Sequence, residues 1–249
     1  MLKQERQAYI LHQVNLHNKI LSANLCQEMN VSEDTIRRDL LELSTNGKLV
    51  KVHGGAMSTS FSHTTAQNET IYASDSKKII AQKAASLVKD GMFVLTTGGT
   101  TIIELARAFP AGLKSTFLCG SLPALFEYMQ HPNIEVIVIG DKLSRNARIT
   151  VGPQAISQVK AIKADLCFMG INAIDPEHGI SDNDWDVVML KKAMIQTSRH
   201  VVGLSIAEKI NTIQAIHLSP VSGLHTLITD LPADHERLKP YSDKGLRLL

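Results

Sequence analysis

The sequence predicts an α/β protein in two parts: a small helical N-terminal domain and a larger, doubly wound, mostly parallel α/β domain. Up to about Gly55, apolar residues recur in short helical patterns, and this region ends in a small basic segment typical of β-structure. From about Asp75 onward, short apolar segments alternate regularly with amphipathic helical patterns. Such alternation is typical of a parallel sheet that is covered by helices on both faces.

The composition narrows the possible classes of protein. The chain has 249 residues, of which 44% are hydrophobic and 20% are charged. This is enough for one or two domains with a real core, so wholesale disorder is excluded. The 26 Lys and Arg residues nearly balance the 24 Asp and Glu residues, leaving a net charge of +2. Any nucleic-acid binding must therefore come from a local patch, because there is no bulk charge to attract DNA or a membrane.

The cysteines, the N-terminus and the hydropathy predict the compartment. Cys26, Cys119 and Cys167 lie far apart and form no CxxC or zinc-ligand spacing, so we expect reduced thiols. The polar N-terminus does not fit a signal peptide. No apolar run approaches the ~20 residues that cross a bilayer. The ten dispersed histidines form no metal-binding motif. We therefore expect a soluble, cytoplasmic protein with no membrane partner, metal or cofactor.

Three segments are expected along the chain. Residues 1–57 form the N-terminal domain, residues 58–74 a linker, and residues 75–249 the larger domain. The stretch from Met57 to Asn68 is polar and rich in Ser and Thr, which is typical of a linker or a partly ordered strap. In the larger domain, strands are expected at 92–97, 115–119, 135–139, 165–169, 200–204 and 224–229. Helices are expected at 77–89, 100–109, 122–130, 154–163, 187–197 and 233–241.

The segment after Asn30 predicts a firmly anchored helix. Ser32 is placed as an N-cap, and two acidic residues follow it in the first turn, where the helix dipole favours them. Ile36, Leu40 and Leu43 recur at i, i+4 and i+7 and form a buried stripe. At 100° per residue, Arg38 points almost directly away from that stripe.

This helix is the third of three short ones, after helices at 6–16 and 21–29, and a basic hairpin follows it. That order predicts a winged helix-turn-helix, whose third helix enters the major groove of DNA. We expect base contacts from Thr35, Arg37 and Arg38. Adjacent arginines alone are more often solvated helix residues, but the cap, the turn and the wing together favour DNA binding. The residues expected to contact phosphates are Ser32, Lys48, Lys51 and His53.

A glycine-rich turn predicts an anion site in the larger domain. The strand at 92–97 runs into Gly98-Gly99-Thr100-Thr101 and then into a helix, so free N–H groups at the helix start point at any bound anion. Taken alone, this pattern also fits a tight turn with an N-cap. Other strands end in small polar residues too, at 119–121, 140–141 and 170–172. Since ligands bind at the carboxyl ends of parallel strands, we expect one shared crevice for a small phosphorylated ligand.

Two stretches carry a specific resemblance. The sequences VSEDTIRRDL at 31–40 and GKLVKVHGGA at 47–56 resemble the signature of the DeoR family of bacterial transcriptional regulators, and the similarity continues through nearly the whole chain. The resemblance implies a winged helix-turn-helix joined to a sugar-phosphate-sensing domain related to ribose-5-phosphate isomerase, which drives oligomerisation. It also implies a repressor of carbohydrate or nucleoside metabolism genes.

Several positions depart from the family pattern. Thr97 stands where the family usually has Asp, Cys119 and Gly120 replace a Thr-Asn pair, and Asp141 replaces a Gly. Asp186 lies one position from the usual acidic residue, a 100° rotation on a helix. We therefore hypothesise that the effector is not the common sugar phosphate of the family, or that sensing is weakened. The candidate effector-binding residues are Thr97, Gly98, Gly99, Thr100, Thr101, Cys119, Gly120, Ser121, Asp141, Asn172, Asp186, Lys191 and Lys209.

The expected function is a sequence-specific DNA-binding regulator controlled by a small phosphorylated metabolite. Its expected partners are repeated half-sites of double-stranded DNA, the effector, and further copies of the chain in a dimer or tetramer. No catalytic residues are assigned, because isomerisation needs a positioned carboxylate base that the pattern does not supply. One alternative is a sugar-phosphate isomerase-like enzyme with an appended nucleic-acid-binding domain. Another is a regulator without a ligand.

Overall fold

A computed structural model describes residues 1–59, 71–145 and 147–249, in two compact units, Met1–Tyr72 and Ala73–Leu249. The central part of the predicted linker and strap, residues 60–70, lies outside the described residues, as does Asn146. No helix within the described ranges has the length and hydrophobicity needed to span a membrane.

The N-terminal unit is a three-helix domain with a small antiparallel sheet. Its helices are α1 (Lys3–His17), α2 (Ser22–Met29) and α3 (Glu33–Thr45), and its strands are β1 (Lys19–Leu21), β2 (Val50–Val52) and β3 (Gly55–Met57). The strand order is β1-β3-β2, so the wing hairpin is joined to the segment between α1 and α2. A Cβ at position 55 would lie 2.0 Å from the carbonyl oxygen of Ile20, so this approach requires glycine.

The core of this unit confirms the predicted stripe on α3. Ile36, Leu40 and Leu43 are buried against apolar residues of α1 and α2. Asp39 lies beside that stripe and is also buried, which the sequence pattern did not indicate. Its carboxylate accepts hydrogen bonds from Nε and Nη2 of Arg6 on α1, the second at 3.2 Å. This ion pair ties the first helix to the third.

The C-terminal unit is built from helices and strands of very different lengths. Its helices are α4 (Ser74–Ala85), α5 (Thr100–Ala108), α6 (Leu122–Tyr128), α7 (Pro153–Lys160), α8 (Trp185–Thr197) and α9 (Lys239–Asp243). Its longer strands are β4 (Phe93–Thr96), β5 (Thr116–Cys119), β6 (Glu135–Val138), β9 (Ala164–Gly170) and β12 (Ser198–Leu204). The others are β7 (Lys142–Ser144), β8 (Ile149–Val151), β10 (Ala173–Asp175), β11 (Gly179–Asp182), β13 (Ile216–Ser219), β14 (Thr226–Ile228) and β15 (Arg247–Leu248).

Seven of these strands form one parallel sheet in the order β15-β14-β12-β9-β4-β5-β6, which confirms the predicted α/β class. The chain first adds β5 and β6 on one side of β4 and then adds β9, β12, β14 and β15 on the other. The order therefore reverses between β4 and β9. At such a switch point the connections leave in opposite directions and open a crevice at the carboxyl ends of the strands.

Two features of this unit differ from the predicted elements. Strands β7 and β8 form one small sheet and β10, β11 and β13 another, and the sequence analysis predicted none of these five strands. The helix expected at 233–241 is wrong over its first half, which contains a 3₁₀ turn at Glu236–Leu238 before α9. Pro240 lacks an N–H, so it fits the first turn of a helix better than an interior position.

Replacing Asp39 with alanine leaves the guanidinium of Arg6 largely buried without its partner. We expect the N-terminal unit to lose roughly 3 kcal/mol of unfolding free energy, because breaking a buried ion pair strands one charge. Urea denaturation followed by circular dichroism measures this loss. The matched control is Glu42→Ala, which removes the exposed pair with Lys3 on the same two helices and should change stability little. If both variants lost the same unfolding free energy, burial of the Arg6–Asp39 pair would not explain its contribution to stability.

Candidate functional sites

The start of α3 presents a capped helix end to solvent. Ser32 has an extended backbone, and its Oγ accepts the N–H of Thr35 at 3.3 Å, as the sequence predicted for an N-cap. The Thr35 hydroxyl lies 2.9 Å from the same Oγ. Both hydroxyl groups are exposed and already oriented by each other, so they are available to an incoming phosphate or base at little entropic cost.

The two arginines of α3 share one carboxylate. The side chains of Arg37 and Arg38 are 70% and 79% exposed, and their Nη2 atoms lie 2.7 and 2.6 Å from the two oxygens of Asp34. The hydrogen bond from Arg37 and the charge of Arg38 lower the pKa of Asp34. Asp34 therefore holds both guanidinium groups over the first turn of the helix. If these arginines contact bases as the sequence predicts, they must first leave this carboxylate.

The wing carries the remaining basic residues. Gly47, with φ +69°, ends α3 in the left-handed conformation, and the N–H of Lys48 turns back to the carbonyl of Leu43 at 2.9 Å. Lys51 lies on β2, and His53 lies in the turn between β2 and β3; both are exposed, as is Lys48. The predicted contacts therefore form two groups in one unit, at the start of α3 and on the hairpin.

The glycine turn after β4 opens onto free space. Gly99 has φ +118°, which only glycine adopts readily, and a Cβ built there would meet no atom within 4 Å. Helix α5 begins at the next residue, Thr100, so its first N–H groups face the same opening. This is the geometry in which a helix start receives an anion.

The ends of β4, β5 and β9 pack closely around this turn. The N–H of Gly170 donates to Oγ1 of Thr97 at 3.0 Å. A Cβ at Gly170 would lie 3.1 Å from the carbonyl oxygen of Gly98, and one at Gly98 would lie 3.3 Å from Oγ of Ser121. Thr97 thus joins β4 to β9, so here the residue that replaces the family's usual Asp has a structural partner.

Cys119, the last residue of β5, and Gly120, which follows it, are packed inward. Cys119 is fully buried, and burial raises the pKa of its thiol to about 11. A side chain at Gly120 would meet Oγ1 of Thr150 at 2.2 Å, and that hydroxyl donates to the carbonyl of Ile139. The space that a larger polar side chain would need at position 120 is therefore taken by Thr150.

The two candidate acidic residues have protein partners of their own. Asp141 accepts backbone N–H groups of Lys142 at 2.7 Å and Gln154 at 2.8 Å, so its carboxylate caps the start of α7. These hydrogen bonds, that of Lys142 foremost, lower the pKa of Asp141. Asp186 is exposed and lies 3.8 Å from Nζ of Lys142. Each carboxylate therefore already has a partner within the protein. Asp141 lies at the start of α7, and Asp186 lies near Lys142 of β7.

A buried polar network extends from the end of β9. Nζ of Lys191 donates to Asp182 at 2.7 Å and to the carbonyl of Gly170 at 2.8 Å, and Asn172 donates to the other oxygen of Asp182 at 3.1 Å. Burial opposes ionisation of Asp182, but the charge of Lys191 and the hydrogen bonds from Lys191, Asn183 and Asn172 together outweigh it and lower the pKa of the carboxyl group. Lys191 thereby connects the network to the glycine turn through Gly170.

Two further lysines reach this network. Burial lowers the pKa of Lys209 to about 7, and the charges of Lys77 and Lys191 lower it further than the nearby carboxylates raise it. Burial also lowers the pKa of Lys77 to about 8. The carboxylates that act on Lys209 are those of Asp182 and Glu208. Lys77, Lys191 and Lys209 are thus electrostatically coupled.

The sequence reasoning found Lys191 and Lys209 but missed Lys77. Lys77 lies on the same face of α4 as the buried residues Ile80, Ala81 and Ala84. A lysine on the apolar face of a helix is costly to bury without a purpose. The placement of Lys77 among apolar residues of one helix face was therefore the sequence signal that could have identified it.

Comparisons with known proteins decide the family. A model of the DeoR-like helix-turn-helix domain matches residues 6–61, and a model of the DeoR C terminal sensor domain matches residues 72–231. The chain belongs to the DeoR family. The HTH-type transcriptional regulator GolR of Listeria innocua is 30% identical over 97% of this chain and 96% of its own length. The HTH-type transcriptional repressor GlcR of Bacillus subtilis is 28% identical over 92% of this chain and 89% of its own length.

Solved structures are similar to this DeoR-family chain at low identity. Ribose 5-phosphate isomerase A from Methanocaldococcus jannaschii has a TM-score of 0.40 and 18% identity, over 54% of this chain and 53% of that one. The β subunit of eIF2B from Chaetomium thermophilum has a TM-score of 0.46 and 15% identity, over 68% of this chain and 56% of that one.

Family membership indicates the general function. The relatives are named as transcriptional regulators, so the matches favour a DNA-binding regulator over the isomerase-like alternative. The helix-turn-helix domain makes DNA a partner, and the sensor domain makes a small-molecule effector a partner.

We expect Arg38→Ala to weaken binding to cognate DNA more than to random DNA, because a base contact contributes only at the correct site. Lys51→Ala should weaken both alike and reduce the salt dependence of binding, because a phosphate contact releases counterions on any sequence. Fluorescence anisotropy at several salt concentrations measures both effects. Equal losses of Arg38→Ala on the two DNAs would remove Arg38 from base recognition.

Asp34→Asn should strengthen binding to random DNA, because it frees two arginines and removes one negative charge from the binding face. Glu33→Gln is the matched control, since it removes the same charge from the neighbouring position without releasing the arginines. If both variants gain affinity equally, the ion pairs of Asp34 do not restrain Arg37 and Arg38.

Proposed function

We propose that the chain is a repressor whose DNA binding is controlled by a small phosphorylated metabolite at the carboxyl ends of β4, β5 and β9. The observation that carries this proposal is the buried position of Lys209, whose pKa falls to about 7 through burial and the charges of Lys77 and Lys191 although Asp182 and Glu208 act in the opposite direction. A phosphate dianion would supply further negative charge. The open start of α5 at Gly99 would supply backbone N–H donors.

The surroundings favour recognition through the phosphate more than through sugar hydroxyl groups. Cys119 is buried, Gly120 has no side chain, and Asp141 is engaged at the start of α7. Few polar side chains are therefore left to distinguish one carbon skeleton from another. This supports the hypothesis that the effector differs from the common sugar phosphates of the family.

We further propose that the chain acts as a dimer or tetramer on repeated half-sites, since a single winged helix-turn-helix reads only one half-site. Effector binding would stabilise one relative placement of two DNA-binding domains and so change the affinity for such paired sites. The segment at 58–74 is the proposed connection between the sensor domain and the DNA-binding domain.

The pKa of Lys209 predicts how effector affinity depends on pH. Above about pH 7 the free site holds a neutral amine, so binding a phosphate dianion requires uptake of a proton. We expect affinity to fall by up to about tenfold per pH unit above that value. It should also fall below about pH 6, where the phosphate becomes a monoanion.

The experiment is calorimetric titration with inorganic phosphate, glycerol phosphate and a panel of pentose and hexose phosphates at several pH values. Lys209→Met should weaken binding of every phosphate compound and flatten the pH dependence above neutrality. Lys89→Met, which removes an exposed lysine of the same unit, is the control and should change neither. No binding of any phosphate compound by the unmodified chain would refute the proposed effector class and favour a regulator without such a ligand.

A further inference from the structure

Of the three electrostatically coupled lysines, Lys209 offers the most surface to a small molecule. Lys77 and Lys191 are each only 6% exposed, whereas Lys209 retains intermediate exposure. Nζ of Lys191 is also engaged already, because it donates hydrogen bonds to Asp182 and to the carbonyl of Gly170. Lys209 is therefore the lysine of this group that a ligand meets first.

The backbone that carries Lys209 is held by neighbouring segments. Lys209 ends a 3₁₀ turn, Ala207–Lys209, which begins shortly after β12. The N–H of Ala207 donates to Asp230 at 2.7 Å. Nη2 of Arg237 donates to the carbonyl groups of Ala207 and Ile210 at 2.9 and 3.0 Å. A group on a fixed backbone needs little further ordering to react with a bound molecule.

This turn lies at the same edge of the sheet as the glycine turn. Ile210 pairs with Ile174 of β10 in a parallel bridge, so the segment after Lys209 lies beside the segment that follows β9. The N–H of Ile171 donates to the carbonyl of Leu204 at 2.9 Å, which joins the ends of β9 and β12. The end of β9 in turn contacts the glycine turn through Thr97. Lys209 and the open start of α5 thus belong to one carboxyl edge.

The surroundings of Lys209 favour a neutral amine. Burial, and then the charges of Lys77 and Lys191, lower the pKa of Lys209 to about 7, although Asp182 and Glu208 act in the opposite direction. An ordinary exposed lysine is neutral in only about one molecule in a thousand near neutral pH. A neutral amine has a free electron pair, and burial or a neighbouring cation is how proteins prepare a lysine to attack a carbonyl group.

We propose that Lys209 captures the effector as a reversible imine with the carbonyl carbon of a phosphorylated aldehyde or ketone. Nζ attacks the carbonyl carbon with its electron pair and forms the C–N bond. The carbonyl oxygen leaves as water with the two protons of the amine, and the imine then takes up one proton from solvent. No oxidant or reductant is required. The resulting positive charge remains on the nitrogen, where it can attract the phosphate of the same ligand.

This inference rests on the proposed function and names a second functional group of the effector. The side chains near the glycine turn supply little recognition of hydroxyl groups, because Cys119 is buried, Gly120 has no side chain and Asp141 caps α7. An imine selects ligands by a different property, the presence of a free carbonyl group. A sugar phosphate would therefore react in its open-chain form, since the ring form has no carbonyl group.

Reductive trapping of the full chain tests the proposal. The probes are glyceraldehyde 3-phosphate and ribose 5-phosphate with sodium cyanoborohydride, and glycerol phosphate, which has no carbonyl group, is the control compound. Reduction converts the imine to a stable secondary amine, so each trapped molecule adds the mass of the probe less one oxygen atom. Mass spectrometry should show one dominant adduct per chain, on the peptide that contains Lys209, and no adduct with glycerol phosphate.

The pH dependence separates Lys209 from ordinary lysines. Lys209 should be almost fully neutral by about pH 8, whereas the neutral fraction of an exposed lysine still rises about tenfold per pH unit there. The ratio of the Lys209 adduct to adducts on exposed lysines should therefore fall about tenfold per unit from pH 8 to about pH 10. This comparison within one sample does not depend on how the reductant responds to pH.

A matched variant isolates the covalent step. Lys209→Arg keeps a cation but cannot form an imine, because the guanidinium does not lose its proton. It should lose the dominant adduct, whereas Lys89→Met, which removes an exposed lysine of the same unit, should keep it. Thermal unfolding checks that Lys209→Arg is folded. The position of the adduct in the unmodified chain provides the same test without any variant.

The outcomes distinguish this inference from the proposed function. Absence of an adduct from both probes, an adduct spread over exposed lysines, or equal trapping by Lys209→Arg would overturn the imine. If calorimetry still shows binding of phosphate compounds in that case, the proposed effector class stands and only the covalent step fails. If no phosphate compound binds, the proposed function fails and the imine fails with it.

Discussion

The burial of Lys209 within electrostatic reach of two other lysines is the constraint on which the proposed effector site depends. Burial, and then the charges of Lys77 and Lys191, lower the pKa of Lys209 to about 7, whereas Lys191 is neutralised by Asp182. The strand order reverses between β4 and β9, and Lys191 contacts the end of β9 there through the carbonyl of Gly170. A bound dianion would relieve the repulsion between these lysines. The same three residues would therefore destabilise the free protein and favour binding of the dianion.

The N-terminal unit uses charge in a different way. Asp39 is buried with Arg6 and holds two helices together, whereas Asp34 is exposed and holds two arginines on the surface. The first pair contributes to stability because it is shielded from water. The second is easily exchanged for phosphate or base contacts, because exposed ion pairs are weak in water. One helix thus carries a structural acid and an exchangeable acid five residues apart.

Periodic and capped elements were predictable from the sequence. Ser32, the stripe at Ile36, Leu40 and Leu43, and the alternation of strands and helices all follow from local rules, and the glycine turn after β4 lies where the sequence placed it. The five short strands outside the main sheet were not predicted, although β7 pairs with β8 and β10 with β11 within a few residues of chain; only the pairing of β11 with β13 joins distant segments. Lys77 was missed for a different reason: its partners come from distant segments that only the fold brings together.

The central claim is that a phosphorylated metabolite, sensed through Lys209, controls DNA binding by this DeoR-family protein. The most direct measurement is selection of bound genomic fragments, with and without a pooled mixture of phosphorylated metabolites, for the unmodified chain and for Lys209→Met. The account predicts enrichment of a few promoters with repeated half-sites, a change in their recovery when the pool is added, and loss of that change in the variant. Enrichment that the pool does not alter, or an equal response from Lys209→Met, would contradict it.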